Sequence, residues 1–555
     1  MEFPSIWRRL AVLSMFCWIF GAFAQSADLA ITNANVITID AAQPRAQAFL
    51  VRDGHFAAVG SNDQIRKLAS ADAQFVDLTG KTVVPGMIDS HLHPRPEYPQ
   101  DSPYETVALG PEAVADMKEL IAALRKKARA TPKGTTIVGR GYQDTKLGRH
   151  PNRHDLDQAS TEHPILITHS SGHVSAANSL VLEMGGITAA TKDPSGGAFD
   201  RDPDGTPNGV LRESARGLLN GKVPPAPAPG FEEQVQALLH TYDRYAAKGI
   251  TSVAVAGGSP DNFKLFQAAK AAGNPVRTYF MYQEGSLPQV KAAGLMAGLG
   301  DERLKIGAIK VFHGNSLSGR TCWVSEEYSD QPGYFGIPPA RSQADLDKLI
   351  AEIHNAGFQA AVHSNGDREI DMVLTAIERA QAANPRPDAR HRIEHASIMT
   401  QSLLDRAKKA GVVLVFHSYM WEHGDKLASF GAKRLAMMHP HRTALDMGIA
   451  LAGHSDDPVS AADPLLRIHD MVNRRGSNGK LYGENQRVTP EEALRVFTLG
   501  GAFAMFEEKS RGSIAAGKLA DFVVLDQDLT KAAPDTIKDI PVAATYISGT
   551  KVFPK

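Results

Sequence analysis

The sequence predicts an α/β protein: a (β/α)8 barrel carrying a large insertion after its first strand, with a small β-sandwich built from both chain ends. Three observations lead there. Short β-branched runs alternate with Ala-, Leu- and Lys-rich helical stretches through the middle of the chain, as parallel β/α units require. Both ends are instead rich in short strands with turn punctuation. The length, 555 residues, exceeds what one small core can organise.

The elements follow in chain order. Trp7-Arg8-Arg9 is a short basic stretch, Leu10 to Ala22 is almost wholly apolar, and Ala22-Phe23-Ala24 offers a small-x-small cleavage site before Gln25. That pattern predicts a removable export signal over residues 1–24, because the apolar run falls short of the ~20 residues that span a bilayer. A periplasmic or secreted protein is expected, with no membrane attachment after cleavage. Residues 25–86 form the N-terminal part of the sandwich. Leu29–Ile39 reads as a strand, and Phe49–Val59 reads as a hairpin turning at Asp53-Gly54. Residues 505–555 supply the other part, with a strand over Phe522–Asp526 and a hairpin over Ala544–Phe553 turning at Ser548-Gly549. Neither end can bury a face alone, so the two are expected to pair.

Residues 87–504 are expected to hold the barrel. Its strands are read at Thr82–His91, Thr251–Ala256, Arg277–Tyr282, Ile306–Phe312, Gln359–His363, Arg392–His395, Val412–His417 and Ala450–Asp456. The stretch from about 105 to 240 breaks the rhythm. It contains a helix over Pro111–Ala130, one strand over Ile165–His169 and a Pro/Gly-rich tract from Pro203 to Gly230, and is read as an insertion on the loop face of the barrel.

Composition narrows the function. The chain is 43% hydrophobic and 22% charged with a formal net charge of -1, which excludes disorder as the main state and argues against nucleic acid as a partner. A small molecule is the expected partner, and a homo-oligomer is compatible with the sequence. Against 20 His stand 2 Cys, and signal cleavage leaves Cys322 alone, so any metal site must use nitrogen and oxygen.

The strongest motif is Val84-Pro-Gly-Met-Ile-Asp-Ser-His-Leu-His93. His91 and His93, two apart on an extended segment, point to one face and can offer two imidazoles to a divalent ion. Three later strands end in Ala360-Ala-Val-His363, Arg392-Ile-Glu-His395 and Leu451-Ala-Gly-His-Ser-Asp456. Each alone is as well explained by a buried histidine or a helix-capping aspartate; together, in chain order, they read as a ligand series suited to zinc or a similar ion.

In order and spacing these residues resemble the metal-dependent amidohydrolase superfamily, and within it amidohydrolase family 3, the branch that includes N-substituted formamide deformylases. The resemblance also runs through Gly172-His173 with Asn178-Ser179, Gly209-Val-Leu-Arg-Glu213, Ser455-Asp456-Asp457-Pro458 and Gly512–Asp521. It implies a barrel and sandwich, and a strand-four lysine, here Lys310, whose carboxylated form bridges two metals. His91, His93, Lys310 and Asp456 would hold one ion, and Lys310, His363 and His395 the other; without carboxylation a single ion remains. It further implies hydrolysis of a C–N bond by metal-activated hydroxide, with Asp456 as the proton shuttle, and places His173, Glu213, Asn178 and Arg212 as substrate contacts. An ester, lactone or cyclic amide would suit the same site, and a periplasmic metal- or ligand-binding protein is the non-catalytic alternative. His313-Gly314, His417 and His454 depart from the family pattern, and His454 is expected to be packed within the barrel.

Overall fold

The computed structural model describes residues 28–99 and 102–555. The expected export signal lies outside them. No helix among the described residues is long and apolar enough to cross a membrane.

Eight parallel strands form the central sheet, neighbours in chain order: Met87–Leu92, Ile250–Gly258, Arg277–Gln283, Leu304–Phe312, Ala360–Ser364, Arg392–His395, Val413–His417 and Leu451–His454. The first and last meet at their C-terminal ends, where Asp456 N–H donates to the His91 carbonyl (3.0 Å) and His93 N–H to that of Asp457 (2.8 Å). The interior is narrow and lined by small residues, Ala254, Ala256, Ala308 and Ala361, around Tyr279 and Met281. Those small side chains leave the mouth free for the long polar residues at the strand ends.

Two segments that read as single strands are each divided between two sheets. Leu29–Ile39 breaks at Asn33, whose φ of 57° lies in the left-handed region. Leu29–Thr32 then joins a four-stranded sheet, and Asn35–Ile37 joins a six-stranded one. Thr82–His91 breaks at Gly86. Thr82–Pro85 pairs with Phe522–Leu525 in the six-stranded sheet, while Met87–Leu92 enters the barrel. A Cβ at Gly86 would stand 2.2 Å from Thr251 Oγ1, so glycine lets the chain cross from one sheet to the other there.

The six-stranded sheet thus mixes both chain ends, and its core joins Ile31, Phe49 and Phe56 with Phe522, Val524 and Tyr546. Phe522 stacks on Tyr546 at 4.3 Å and meets Phe49 edge-on at 4.9 Å. Both expected hairpins turn through pairs of positive φ, Asp53-Gly54 (49° and 75°) and Ser548-Gly549 (49° and 73°), as two-residue primed turns require. The buried Asp521 clamps this layer to the barrel: Arg277 on the third strand donates to both carboxylate oxygens (2.7 and 2.8 Å).

The insertion is more regular than its sequence implies. In place of one strand it forms a six-stranded sheet, in spatial order Gly197–Arg201, Pro207–Glu213, Val174–Ala177, Ile165–His169, Ile137–Tyr142 and Val107–Ala108. The tract read as Pro/Gly-rich therefore contributes a paired strand. Its helix starts at Met117 rather than Pro111, capped by Asp116, which accepts from Glu119 N–H at 2.9 Å. The helix Phe231–Ala247, partly assigned to the insertion, packs beside the second barrel strand, and the Ala246 carbonyl accepts from Thr545 Oγ1 of the sandwich.

Candidate functional site

At the C-terminal ends of the barrel strands lies a cavity of about 800 Å³, and His91, His93, Lys310, His363, His395 and Asp456 all line it. The insertion contributes His169 and His173 to its wall.

His91 and His93 leave the first strand on one face, with ring centroids 5.4 Å apart. Asp456 sits just past the eighth strand with φ 59°, a left-handed turn that brings its carboxylate back between them. Its Oδ1 is 3.4 Å from His91 Nε2 and 3.3 Å from His93 Nε2. The turn is held from behind. The Ser455 and His91 amides both donate to Asp89, a fully buried carboxyl that burial pushes up to about 7. Asp457 accepts from Tyr245 Oη at 2.8 Å and from Arg244.

His91 is oriented by a buried pair. Its Nδ1–H donates to Glu394 Oε2 at 2.5 Å, and Arg392 donates to both oxygens of the same carboxylate at 2.7 and 2.8 Å. Burial opposes the charge on Glu394, yet Arg392 and His91 hold its carboxyl down at about 2. With Nδ1 committed as donor, His91 Nε2 is left as a lone-pair acceptor facing the cavity. The strand alternation explains the division of labour: Arg392 and Glu394 point into the barrel. His395 follows them with φ 70°, a left-handed turn at the strand end beside the cavity it lines.

Lys310 is completely buried, and burial lowers its ammonium to about 8. Its aliphatic chain passes over Gly257, where an added Cβ would come within 3.2 Å of Lys310 Cγ, and its Nζ lies 4.0 Å from the centre of the Phe312 ring. His363 Nε2 is 3.1 Å from the Asn315 carbonyl. Donation to that oxygen leaves Nδ1 as the free acceptor. Burial drives His363 and His395 well below the usual histidine range and His93 to about 4, so these rings are neutral at pH 7. Burial works against the charge of Asp456 too, but the flanking imidazoles hold its carboxyl well below the usual range.

The donor set suits a divalent ion. His91 Nε2, Asp456 Oδ1 and Lys310 Nζ are all buried and have no hydrogen-bond partner. Leaving such atoms unpaired costs about 1–3 kcal/mol each, more when charged. One ligand atom each from His91, His93 and Asp456 falls within 4.8 Å of the others. Neutral imidazoles and a carboxylate are the ligands that zinc-type ions take.

The four expected substrate contacts separate. His173 lines the cavity, stacked on His363 at 5.0 Å. Glu213 is behind it: it accepts from His173 Nδ1 at 2.7 Å and from Thr321 Oγ1, and so positions the ring. Neither Asn178 nor Arg212 is among the residues lining the cavity. Asn178 is fully buried as the cap of the helix Ser179–Gly185; its amide also ties Ser160 and His163 into the insertion. Arg212 is held by both oxygens of Asp200 at 2.7 Å, across a strand pair of the insertion sheet.

One further pair escaped the sequence reading: Glu394 and Arg392 were visible only as charges two apart in the strand Arg392–His395. His454 does pack within the barrel, fully buried as expected, but with both ring nitrogens unpartnered.

The amidohydrolase family model matches residues 74–553. Amidohydrolase YtcJ of Bacillus subtilis (strain 168) is 29% identical over 529 residues, covering 92% of this chain and 96% of the relative. N-substituted formamide deformylase of Arthrobacter pascens is 29% identical over 545 residues, covering 95% and 98%. Among solved structures, an uncharacterized metal-dependent hydrolase from Pyrococcus horikoshii OT3 superposes with a TM-score of 0.71 at 24% identity, covering 92% of this chain and 99% of that one. That last likeness concerns the fold.

Proposed function

The chain belongs to the amidohydrolase family, and on that premise we propose that it is an exported, metal-dependent hydrolase cleaving the C–N bond of a small amide. The observation that carries the reading is the Asp456 carboxylate set between two imidazoles at the floor of a cavity with room for a small molecule. His91, His93 and Asp456 would hold one divalent ion, zinc being the best match to the donors. Lys310, once carboxylated, would share it with a second ion at His363 and His395. Bound there, the metal supplies Lewis acidity toward the scissile carbonyl and makes water acidic enough to ionise near pH 7.

The rest falls to the chain's own residues. Asp456 is ionised, with Oδ1 toward the two ligand imidazoles, so its carboxylate has a second oxygen to offer. It can take the proton of the attacking water and hand it to the departing nitrogen. Glu394, by accepting from His91 Nδ1, keeps the His91 tautomer fixed while charge develops beside it. His173, held by Glu213 through Nδ1–H, keeps its other ring nitrogen as an acceptor and is placed to receive a substrate N–H.

The amide class is supported by the relative named N-substituted formamide deformylase. Export is supported by the N-terminal residues 1–24 alone. The test is turnover of N-formyl and N-acyl amines against aryl esters and lactones by the zinc-loaded protein. A kcat/KM for amides at or above that for esters is expected; turnover confined to esters and lactones would overturn the bond assignment.

A further inference from the structure

A second group of imidazoles stands beside the His91–His93–Asp456 cluster. The His454 ring lies 4.8 Å from His91, 4.9 Å from His395 and 4.7 Å from His417. One ring nitrogen each from His395, His417 and His454 falls within 4.8 Å of the others. His454 is fully buried, and neither of its nitrogens has a hydrogen-bond partner. His417 Nε2 is 3.2 Å from Ser460 Oγ.

Packing alone does not explain this arrangement. An aromatic or aliphatic side chain would fill the space of His454 without burying two unpaired polar atoms. Three imidazoles converging from the ends of three neighbouring strands are instead the donor set of a borderline divalent ion. Nitrogens around an ion at about 2.0–2.1 Å stand closer together than 4.8 Å, so the rings draw inward by roughly an ångström on binding.

We propose that His395, His417 and His454 form a cation site of their own, for an ion such as Zn²⁺ or Co²⁺. This goes beyond the hydrolytic reading, which uses neither His417 nor His454. A neutral imidazole has one lone pair. His395 therefore serves either this ion or one held with Lys310 and His363, and filling one seat empties the other.

Full-length protein, stripped with a chelator and titrated with Co²⁺ in bicarbonate buffer, tests the assignment by metal-to-protein ratio and visible absorption. The nitrogen-rich Co²⁺ band should be lost in both His417→Gln and His454→Gln, with Co²⁺ affinity at that site down by roughly tenfold or more. It should persist in Lys310→Ala and in His91→Asn. Wild-type ratio and spectrum in both glutamine variants would overturn the proposal, as would loss of the band in Lys310→Ala alone. Circular dichroism verifies folding, and if one variant fails to fold the other carries the comparison. Loss of metal in His91→Asn reports on the hydrolytic site only, so the two readings fail separately.

Discussion

Replacing Glu394 by Gln should weaken both the fold and the metal site, through one buried carboxylate. Glu394 accepts three bonds, from Arg392 Nε and Nη2 and from His91 Nδ1, and Arg392 and Glu394 have no solvent exposure. A glutamine has a single acceptor oxygen, so at least one of these donors must face an NH₂ group. The buried guanidinium also loses its counter-charge. Removing one partner of a buried ion pair costs about 3–5 kcal/mol. Loss of the acceptor behind a metal-ligating histidine costs about 10–100-fold in metal affinity, or about 1.4–2.7 kcal/mol. Chelator competition measures the second effect, and the denaturation midpoint of metal-stripped protein measures the first. An E394Q protein with the wild-type midpoint and wild-type metal retention would refute the reasoning that this pair fixes His91.

Four further outcomes are expected. Asp456→Asn should keep most of its metal, because both imidazoles remain and the amide oxygen can still face the ion, while kcat falls by about 10²–10⁴; kcat and metal content on the same sample check this, and unaltered kcat removes Asp456 as the shuttle. Lys310→Ala should lose activity and regain part of it with short carboxylic acids that replace the carbamate oxygens. Because burial lowers Lys310 to about 8, its neutral amine, the form that captures CO₂, accumulates as pH rises through 8. At constant dissolved CO₂, metal-stripped protein should therefore incorporate ¹³C faster at pH 9 than at pH 7, and a rate independent of pH would count against the carbamate. Glu213→Gln should raise KM more than it lowers metal content, since Glu213 holds His173 and no ligand.

The barrel was legible because its strands are compact, mostly apolar runs between helical stretches, several of them closing on a chemically distinctive residue, as in Ala360-Ala-Val-His363. The places where sequence reading went astray are those where backbone geometry, not side-chain pattern, decides. Thr82–His91 carries Pro85-Gly86 at its centre, and at Gly86, close against Thr251, the chain passes from one sheet to the other. Asn33 does the same in Leu29–Ile39. In the insertion, strands such as Val107–Ala108 and Val174–Ala177 are too short for any periodicity to register.

Within the site, strand-end histidines were readable from spacing, because side chains two apart share a face. The supporting atoms were not. Arg392 and Glu394 look like surface charges until the barrel closes around them, and Glu213 meets His173 only because the insertion strands fold back. Arg212 and Asn178 show the reverse error: they sit in motifs next to functional residues, yet their hydrogen bonds are spent on Asp200 and on the insertion backbone.

Hydrolysis should depend on a divalent ion held by His91, His93 and Asp456, and metal content measured together with amide turnover shows whether it does, on wild-type protein, on chelator-stripped protein, and on His91→Asn and His93→Asn. Stripping should abolish turnover, zinc should restore it, and both variants should lose metal and activity in parallel. Full turnover by metal-free protein, or full metal and activity in both histidine variants, would contradict the account.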